Sequence, residues 1–269
     1  MSFKILKIFT SGLLVVLFMP NLVLAENLLI SQWHKTNYSQ ARAHILQATD
    51  QTISLAVEIN IIENYKTYWM SPGSTGVPPL AKINGANIVS NSEQISFPLP
   101  HKYINKYGET WGYKDRVVLF VNVNRQQMSQ QTQLNVAFDY AVCDQICLPE
   151  HAQFQLKLTA GNLAKTMSAL RFGKFNQQIT QPIAMDKSAI KQVAFTSPKQ
   201  LLLSLNSPVT SDLFITDSKH RFYQHASTDS DHQTYNLHGL ALKDGDENPA
   251  LTIYYATQNG YFHTKISAE

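Results

Sequence analysis

Apolar and polar side chains alternate regularly through residues 51–62 and limit this segment to an extended conformation. One face carries only aliphatic side chains, those of Ile53, Leu55, Val57, Ile59 and Ile61. Successive side chains of an extended chain point to opposite faces, so the pattern predicts a strand with one buried face. Similar alternation, or a β-branched run, predicts further strands over residues 116–124, 134–142 and 154–158. Short strands separated by turn-rich segments are typical of an antiparallel sandwich.

Prolines mark several of the segments between these strands, over residues 71–79 and in the Phe-Pro-Leu-Pro run at residues 97–100. Proline has no backbone N–H to donate to a neighbouring strand. We therefore predict that these segments lie outside the centre of any sheet and form connecting loops.

After residue 160 the spacing of the apolar residues changes, and this change divides the chain in two. Apolar residues recur at helical spacing and predict one short helix between Asn162 and Gly173, followed by a polar linker. Beyond the linker the strand pattern returns. The sequence thus predicts an all-β chain of two tandem antiparallel β-sandwich domains, at residues 26–160 and 190–269, joined by the helix and linker at residues 161–189.

The first 25 residues have the composition of an export signal. Lys4 and Lys7 precede an apolar run over residues 8–18, and Val-Leu-Ala ends at Ala25 with the small side chain of a cleavage site. The run is shorter than the roughly 20 residues of a membrane-spanning helix, so a cleaved signal peptide (1–25) is favoured over a retained anchor. Cleavage removes two lysines from a chain of formal charge +3. The nearly neutral mature chain gives no reason to expect binding to nucleic acid or anionic lipid, and no later apolar run is long enough to predict a membrane-embedded part.

The sequence contains two cysteines, Cys143 and Cys147, within Tyr-Ala-Val-Cys-Asp-Gln-Ile-Cys-Leu-Pro-Glu-His. A disulfide between them would close a ring of about five residues and would constrain the unfolded chain by only about 2 kcal/mol. So small a gain favours a redox-active pair over a structural bridge. A third alternative is a copper or zinc site formed by both thiolates and His151. All three alternatives remain open on this evidence.

Geometry places a turn between the two cysteines. In an extended chain their Cα atoms would lie about 13 Å apart, whereas a disulfide needs about 4.4–6.8 Å. The strand should therefore end at Cys143, and the pair should lie at a strand end or hairpin tip. Asp144 disfavours a thiolate at Cys143 beside it, and His151 follows Cys147. Asp144 and His151 are thus candidate modulators of the thiol pKa values, with Cys147 as the sulfur exchanged with partners.

Several motifs occur here in the order that one known family shows. Tyr-x-Val-Cys-x3-Cys-x-Pro ends the alternating strand at residues 140–149, and Asn-Tyr-Lys-Thr-Tyr-Trp-Met-Ser-Pro-Gly-Ser-Thr-Gly-Val-Pro-Pro occupies residues 64–79. Pro-x-Pro lies at residues 98–100, and Tyr-Gly-x3-Gly-Tyr at residues 107–113. Together they span about residues 50–160 and resemble the N-terminal periplasmic domain of DsbD/ScsB-type thiol:disulfide interchange proteins.

The resemblance implies an immunoglobulin-like sandwich in the periplasm whose catalytic residues, Cys143 and Cys147, relay reducing equivalents without a dissociable cofactor. Implied partners are a membrane thiol:disulfide electron transporter or a thioredoxin-like protein, together with oxidised exported proteins. Cytochrome c maturation and copper tolerance are the settings that the family suggests. The sequence shows no transmembrane domain and no thioredoxin-like Cys-x-x-Cys domain, so we expect either a stand-alone partner in the relay or another role. Asn64 and Lys66 replace the glycine and histidine usual in the family.

Position relative to these motifs suggests residues that shield the disulfide or contact a partner. The candidates are Tyr65, Tyr68, Trp69, Pro72 and Gly73. The alternative is that the aromatic residues are core residues at a strand end, which we favour for Trp69.

Two other classes of function remain as alternatives. A copper-tolerance protein would bind copper through Cys143, Cys147 and His151, and Cys-x3-Cys before a proline is also similar to copper chaperones of oxidase assembly. Those chaperones have a thioredoxin-like α/β fold, however, unlike the β pattern here. In a non-enzymatic binding module, the disulfide would be structural and the second domain would dock a partner. The sequence lacks Gly-x-Ser-x-Gly, His-Glu-x-x-His and a phosphate-binding glycine loop, so hydrolase and nucleotide chemistry are not indicated.

Overall fold

The computed structural model describes residues 29–106, 108–126, 132–158, 163–197, 199–219, 221–229, 232–238 and 249–266. The expected signal peptide, with its cleavage site after Ala25, lies outside these residues. Among the described residues, no helix is long and apolar enough to cross a membrane.

Two antiparallel sheets form the first part of the described chain. Their strands are β1 (His34–Lys35), β2 (Ser39–Ala48), β3 (Thr52–Ile61), β4 (Lys66–Gly73), β5 (Leu80–Gly85), β6 (Gln94–Ser96), β7 (His101–Asn105), β8 (Gly108–Lys114), β9 (Arg116–Asn124), β10 (Thr132–Cys143) and β11 (Cys147–Leu158). One sheet has the order β1-β2-β3-β9-β6, and the other has the order β11-β10-β4-β8-β7 with β5 also paired to β10. The two sheets share one apolar core, to which Ile59, Leu119, Phe138 and Leu156 contribute fully buried side chains.

The prediction that proline keeps residues 71–79 away from the centre of a sheet is wrong at its start. Strand β4 contains Pro72 and lies between β10 and β8. Its pairing with β8 is interrupted between Tyr68 and Gly73, where the register shifts. Pro72 lies within this irregular stretch, so its missing N–H removes no hydrogen bond from the regular part of the ladder.

Two short helices, rather than the single predicted one, follow the first two sheets. They are α1 (Met167–Arg171) and α2 (Gly173–Gln177). Thr166 caps α1, because its hydroxyl accepts a hydrogen bond from the backbone N–H of Ala169 at 3.3 Å. The predicted start at Asn162 lies outside the described residues.

The helices cover the outer face of the first sheet through Phe172, which is fully buried between them. Its ring packs against Leu46, Ala56, Val118 and Phe120 of strands β2, β3 and β9. The middle of β3 is therefore buried on both faces, although its alternation predicts only one buried face. Contacts from a distant segment, and not the local pattern, decide the second face.

A buried carboxylate ties α1 to the same sheet. Glu58 of β3 accepts hydrogen bonds from Arg42 Nε at 2.9 Å and from Arg171 of α1 at 3.4 Å, and it pairs with Arg116 at 2.6 Å. Burial raises the pKa of Glu58, but the Arg42 hydrogen bond and the nearby arginine charges hold it below its usual value. His44 Nε2 lies 3.3 Å from the same carboxylate, and burial lowers the pKa of His44 to about 4. The neutral imidazole adds no further charge to the cluster at neutral pH.

The remaining described strands form one eight-stranded sheet with its own core. They are β12 (Gln181–Pro182), β13 (Ile190–Ser197), β14 (Gln200–Leu205), β15 (Phe214–Asp217), β16 (Phe222–Thr228), β17 (Gln233–His238), β18 (Leu251–Thr257) and β19 (Gly260–Ile266). Their order is β12-β19-β18-β15-β16-β17-β14-β13, antiparallel except for the β12–β19 pair. Fully buried Ile190, Leu203, Ile215 and Ile253 lie at its centre. The all-β architecture with antiparallel sheets is confirmed.

Aromatic rings join the two parts of the fold. Trp69 of β4 lies edge-on to Tyr254 of β18 at a centroid distance of 4.9 Å. Trp111 of β8 lies 5.1 Å from both Phe214 and Phe222. The eight-stranded sheet therefore packs against β4 and β8 of the cysteine-bearing sheet, on the face that carries Trp69 and Trp111.

Candidate redox site

The two cysteines lie at the tip of the β10–β11 hairpin. Strand β10 ends at Cys143, β11 begins at Cys147, and the two residues are partners in the antiparallel register. A disulfide bond joins them, with Cα atoms 4.2 Å apart. The hairpin turn over residues 144–146 is the turn that the geometric argument requires. Because β11 is the outermost strand of its sheet, the tip is open on one side.

The two sulfurs differ in accessibility. Cys143 is only 2% exposed, whereas Cys147 is partly exposed and Ile146 beside it is 74% exposed. On β10 the even-numbered side chains enter the sandwich core, so Ala141 and Cys143 lie on the outer face of the sheet. Tyr68 of β4 covers both of them there. An incoming thiolate therefore meets Cys147 before Cys143.

Tyr68 contacts the disulfide directly. Its side chain is 1% exposed, and its hydroxyl donates to Cys147 Sγ across 3.4 Å. Burial raises the pKa of Tyr68 to about 12, so the hydroxyl keeps its proton at neutral pH. The carbonyl oxygen of Thr75 lies 3.9 Å from the same sulfur. Cys147 is thus enclosed on one side by a ring and on another by backbone.

Residues 74–79, here called the cover loop, hold Tyr68 in place. A Cβ atom on Gly76 would lie 2.4 Å from Cδ1 of Tyr68 and 2.4 Å from Cβ of Pro72. Only glycine allows the loop to approach the ring this closely. Gly73, which ends β4 immediately before the loop, has a φ of +87°, which a residue with a side chain rarely adopts. The two glycines of Pro-Gly-x-x-Gly are therefore required locally, one for a positive φ and the other for the close contact with Tyr68.

A buried lysine lies beside the disulfide. Lys66 is the β4 residue paired with Cys143, and its side chain is 8% exposed. Burial lowers the pKa of Lys66, the charge of Lys114 lowers it further, and Asp144 opposes both effects. The second predicted modulator, His151, is not at the sulfurs.

His151 and Asp139 face each other across the hairpin, with Nδ1 2.8 Å from Oδ1 and both side chains largely exposed. Four residues along β11 separate His151 from Cys147, which corresponds to about 13 Å in a strand. The structure therefore does not bring together the three candidate copper ligands. Among the described residues, no group of three histidine, cysteine or acidic side chains could hold a metal ion.

The other predicted shielding residues have different surroundings. Tyr65 packs against Tyr38 at a ring distance of 5.0 Å. Trp69 points to the opposite face from Tyr68 and belongs to the sandwich core, as its alternative interpretation held. Pro72 and Gly73 shape the cover loop but do not reach the sulfurs by any described contact. Of the five candidates, the structure places Tyr68 against the disulfide.

Sequence reasoning missed two parts of this site. The proximity of Lys66 to Cys143 follows from the β4–β10 register, which joins residues far apart in the chain. The role of Thr75 depends on a backbone carbonyl, which any residue type would supply. No residue pattern in the sequence signals either contact.

Comparison with known proteins identifies the cysteine-bearing part of the fold. The family described as "Thiol:disulfide interchange protein DsbD, N-terminal" matches residues 36–159, which include the hairpin, Tyr68 and the cover loop. Residues 36–159 are a DsbD-type N-terminal domain. The match to the thiol:disulfide interchange family concerns this part of the chain.

Similarity of fold to solved structures extends to the second part of the chain. The N-terminal periplasmic domain of ScsB from Proteus mirabilis matches with a TM-score of 0.69 and 19% identity, covering 89% of this chain and 98% of that one. The DsbD N-terminal domain of Neisseria meningitidis in the reduced form covers 45% of this chain and 87% of its own, at 16% identity and a TM-score of 0.29. The search of curated proteins gives no match. The ScsB match confirms the predicted fold class.

Removing the Tyr68 ring should expose the disulfide of the DsbD-type domain. We expect Tyr68→Ala to increase the rate of reduction by a small monothiol about tenfold, because access to the sulfur limits exchange. The rate is measured by quenching the reaction at timed intervals and alkylating the released thiols. Tyr68→Phe keeps the ring and Tyr65→Ala leaves the site intact, so both should react within about threefold of the unaltered protein. An unchanged rate in Tyr68→Ala would remove the shielding role.

Proposed function

We propose that this protein is a periplasmic thiol:disulfide interchange protein that relays reducing equivalents through Cys143 and Cys147. The observation that carries the proposal is a disulfide at an open hairpin tip with one buried and one accessible sulfur. A bridge that served only stability would gain little from so short a ring. Membership of the DsbD-type N-terminal domain in an interchange family supports the same chemistry.

The proposed reaction is ordinary thiol–disulfide exchange. A thiolate of a reduced donor attacks Cys147 Sγ, the S–S bond breaks, and its electron pair leaves on Cys143. The second thiol of the donor then attacks the mixed disulfide and releases Cys147. The pair has gained two electrons and two protons, the donor holds a disulfide, and the reduced pair can repeat the sequence with an oxidised protein.

The proposed partners follow from this chemistry and from the family. The donor would be a membrane thiol:disulfide electron transporter or a thioredoxin-like protein, and the acceptors would be oxidised exported proteins. Cleavage after Ala25 would deliver the mature chain to the periplasm, where disulfides form and persist. Cytochrome c maturation is a setting in which such a relay would act.

The reduction potential of the pair tests the proposal. The mature protein is equilibrated with glutathione or dithiothreitol buffers, and the reduced fraction is measured by the mass shift on thiol alkylation. We expect a potential above about −250 mV, in the range of exchange catalysts. A potential below about −300 mV would indicate a structural bridge. The function would then have to be sought in the part of the chain that forms the eight-stranded sheet. Stoichiometric, tight Cu(I) binding by the reduced protein would instead favour the copper alternative.

A further inference from the structure

The Lys66 side chain is largely buried, and the described contacts give its ammonium no structural role. Its side chain is 8% exposed, and its Nζ lies 5.6 Å from the centre of the Tyr103 ring. Within the described part of the chain, no carboxylate forms an ion pair with it. Holding a charge partly out of water without an ion pair is costly, so its retention calls for a compensating interaction.

The strand register supplies a partner for this charge. Lys66 and Cys143 lie directly opposite each other in the antiparallel β4–β10 pair. Side chains at opposed positions share a face of the sheet, with Cβ atoms about 4.5–5.5 Å apart. Cys143 is neutral while it is bonded to Cys147 but acquires negative charge when that bond breaks.

The accessibility of the two sulfurs decides where this charge appears. Attack on the exposed side must occur at Cys147, so Cys143 is the leaving group. At 2% exposure, its thiolate is shielded from water and would be unstable without a nearby positive charge. We propose that Lys66 is a positioning residue that stabilises Cys143 as the leaving thiolate during exchange. This inference rests on the proposed function and assigns the Lys66 charge a part in it.

Other polar groups face Lys66 and define the local charge. Lys114 of β8 lies 5.1 Å from the centre of the Tyr103 ring that Lys66 also approaches. Asp144, in the turn, attracts the Lys66 ammonium, and Tyr68 is held neutral by burial. Asp115 acts electrostatically on Tyr103 as well. The position of Lys66 opposite Cys143, and not a net charge of the site, therefore provides the nearby positive charge. Of these groups, Lys66 is the one that shares a strand register position with Cys143.

A single-cysteine variant tests the charge pairing without any exchange reaction. In Cys147→Ser, the pKa of Cys143 is read from the ultraviolet absorbance of the thiolate as pH rises. Adding Lys66→Met should raise the midpoint by about one unit, whereas Lys66→Arg should preserve it. Lys82→Met removes an equal charge from an exposed position on β5 and should shift the midpoint by less than about 0.3 unit. Equal midpoints with and without the Lys66 ammonium would overturn the inference.

Exchange kinetics provide the second measurement. With both cysteines present, Lys66→Met should slow reduction by dithiothreitol about tenfold, because a leaving thiol of higher pKa departs more slowly. Lys82→Met should reduce the rate less than twofold. Circular dichroism of each oxidised variant checks the fold, and Lys66→Gln serves if methionine disturbs it. The pKa of Cys143 does not depend on a physiological partner. A reduction potential in the range of structural disulfides would therefore refute the proposed function, whereas the Cys143 midpoints alone decide the role of Lys66.

Discussion

The Cys147 thiol that remains in Cys143→Ser should form a mixed disulfide readily, whereas the Cys143 thiol that remains in Cys147→Ser should be unreactive. The reason is the difference in burial, since Cys143 lies beneath the Tyr68 ring and Cys147 is partly exposed. We expect the two single-cysteine proteins to differ about 100-fold in their rate of reaction with oxidised glutathione. Intact-mass spectrometry at timed intervals measures the added glutathione.

Denaturation provides the control for this comparison. In concentrated urea both single-cysteine proteins lose the cover loop and the hairpin, so their rates should agree within about threefold. The asymmetry would then belong to the folded structure and not to the residues beside each thiol. If Cys143 reacts as fast as Cys147 in the folded protein, the order of attack and the leaving group proposed above are both wrong.

Local pattern was sufficient to predict individual strands and the hairpin that carries the cysteines. The β-branched run at residues 116–124 corresponds to β9 (Arg116–Asn124), and the alternation through residues 134–142 forms most of β10. The hairpin could also be predicted, because a disulfide between residues four apart is incompatible with an extended chain. These are short-range constraints that one segment of sequence contains in full.

Long-range packing explains the failures. Pro72 marks a loop by local rules, yet β4 carries it into a sheet because the register with β8 breaks there. His151 follows Cys147 at a spacing that suggests shared chemistry, but it faces Asp139 across the hairpin instead. Lys66 reaches Cys143 only through the pairing of β4 with β10. Each outcome depends on which distant strand becomes a neighbour, which composition and period do not encode.

The Trp69 ring should contribute more to stability than any other side chain next to the site. We expect Trp69→Ala to lower the free energy of unfolding by about 3–5 kcal/mol, the usual cost of removing a buried aromatic ring. The ring is 1% exposed and lies 4.9 Å from Tyr254 and 5.9 Å from Phe214, both in the eight-stranded sheet. Urea unfolding followed by circular dichroism measures the loss.

Trp69→Phe is the matched control, and it separates stability from redox chemistry. In the described structure, Nε1 of Trp69 is buried without a hydrogen-bond partner, so phenylalanine removes an unsatisfied donor while keeping an aromatic ring. The variant should lose about 1–2 kcal/mol, well below the loss in Trp69→Ala. Because Trp69 and Tyr68 point to opposite faces of β4, Trp69→Phe should leave the rate of disulfide reduction unchanged. A loss below about 1 kcal/mol in Trp69→Ala would mean that this aromatic contact does not hold the two parts together.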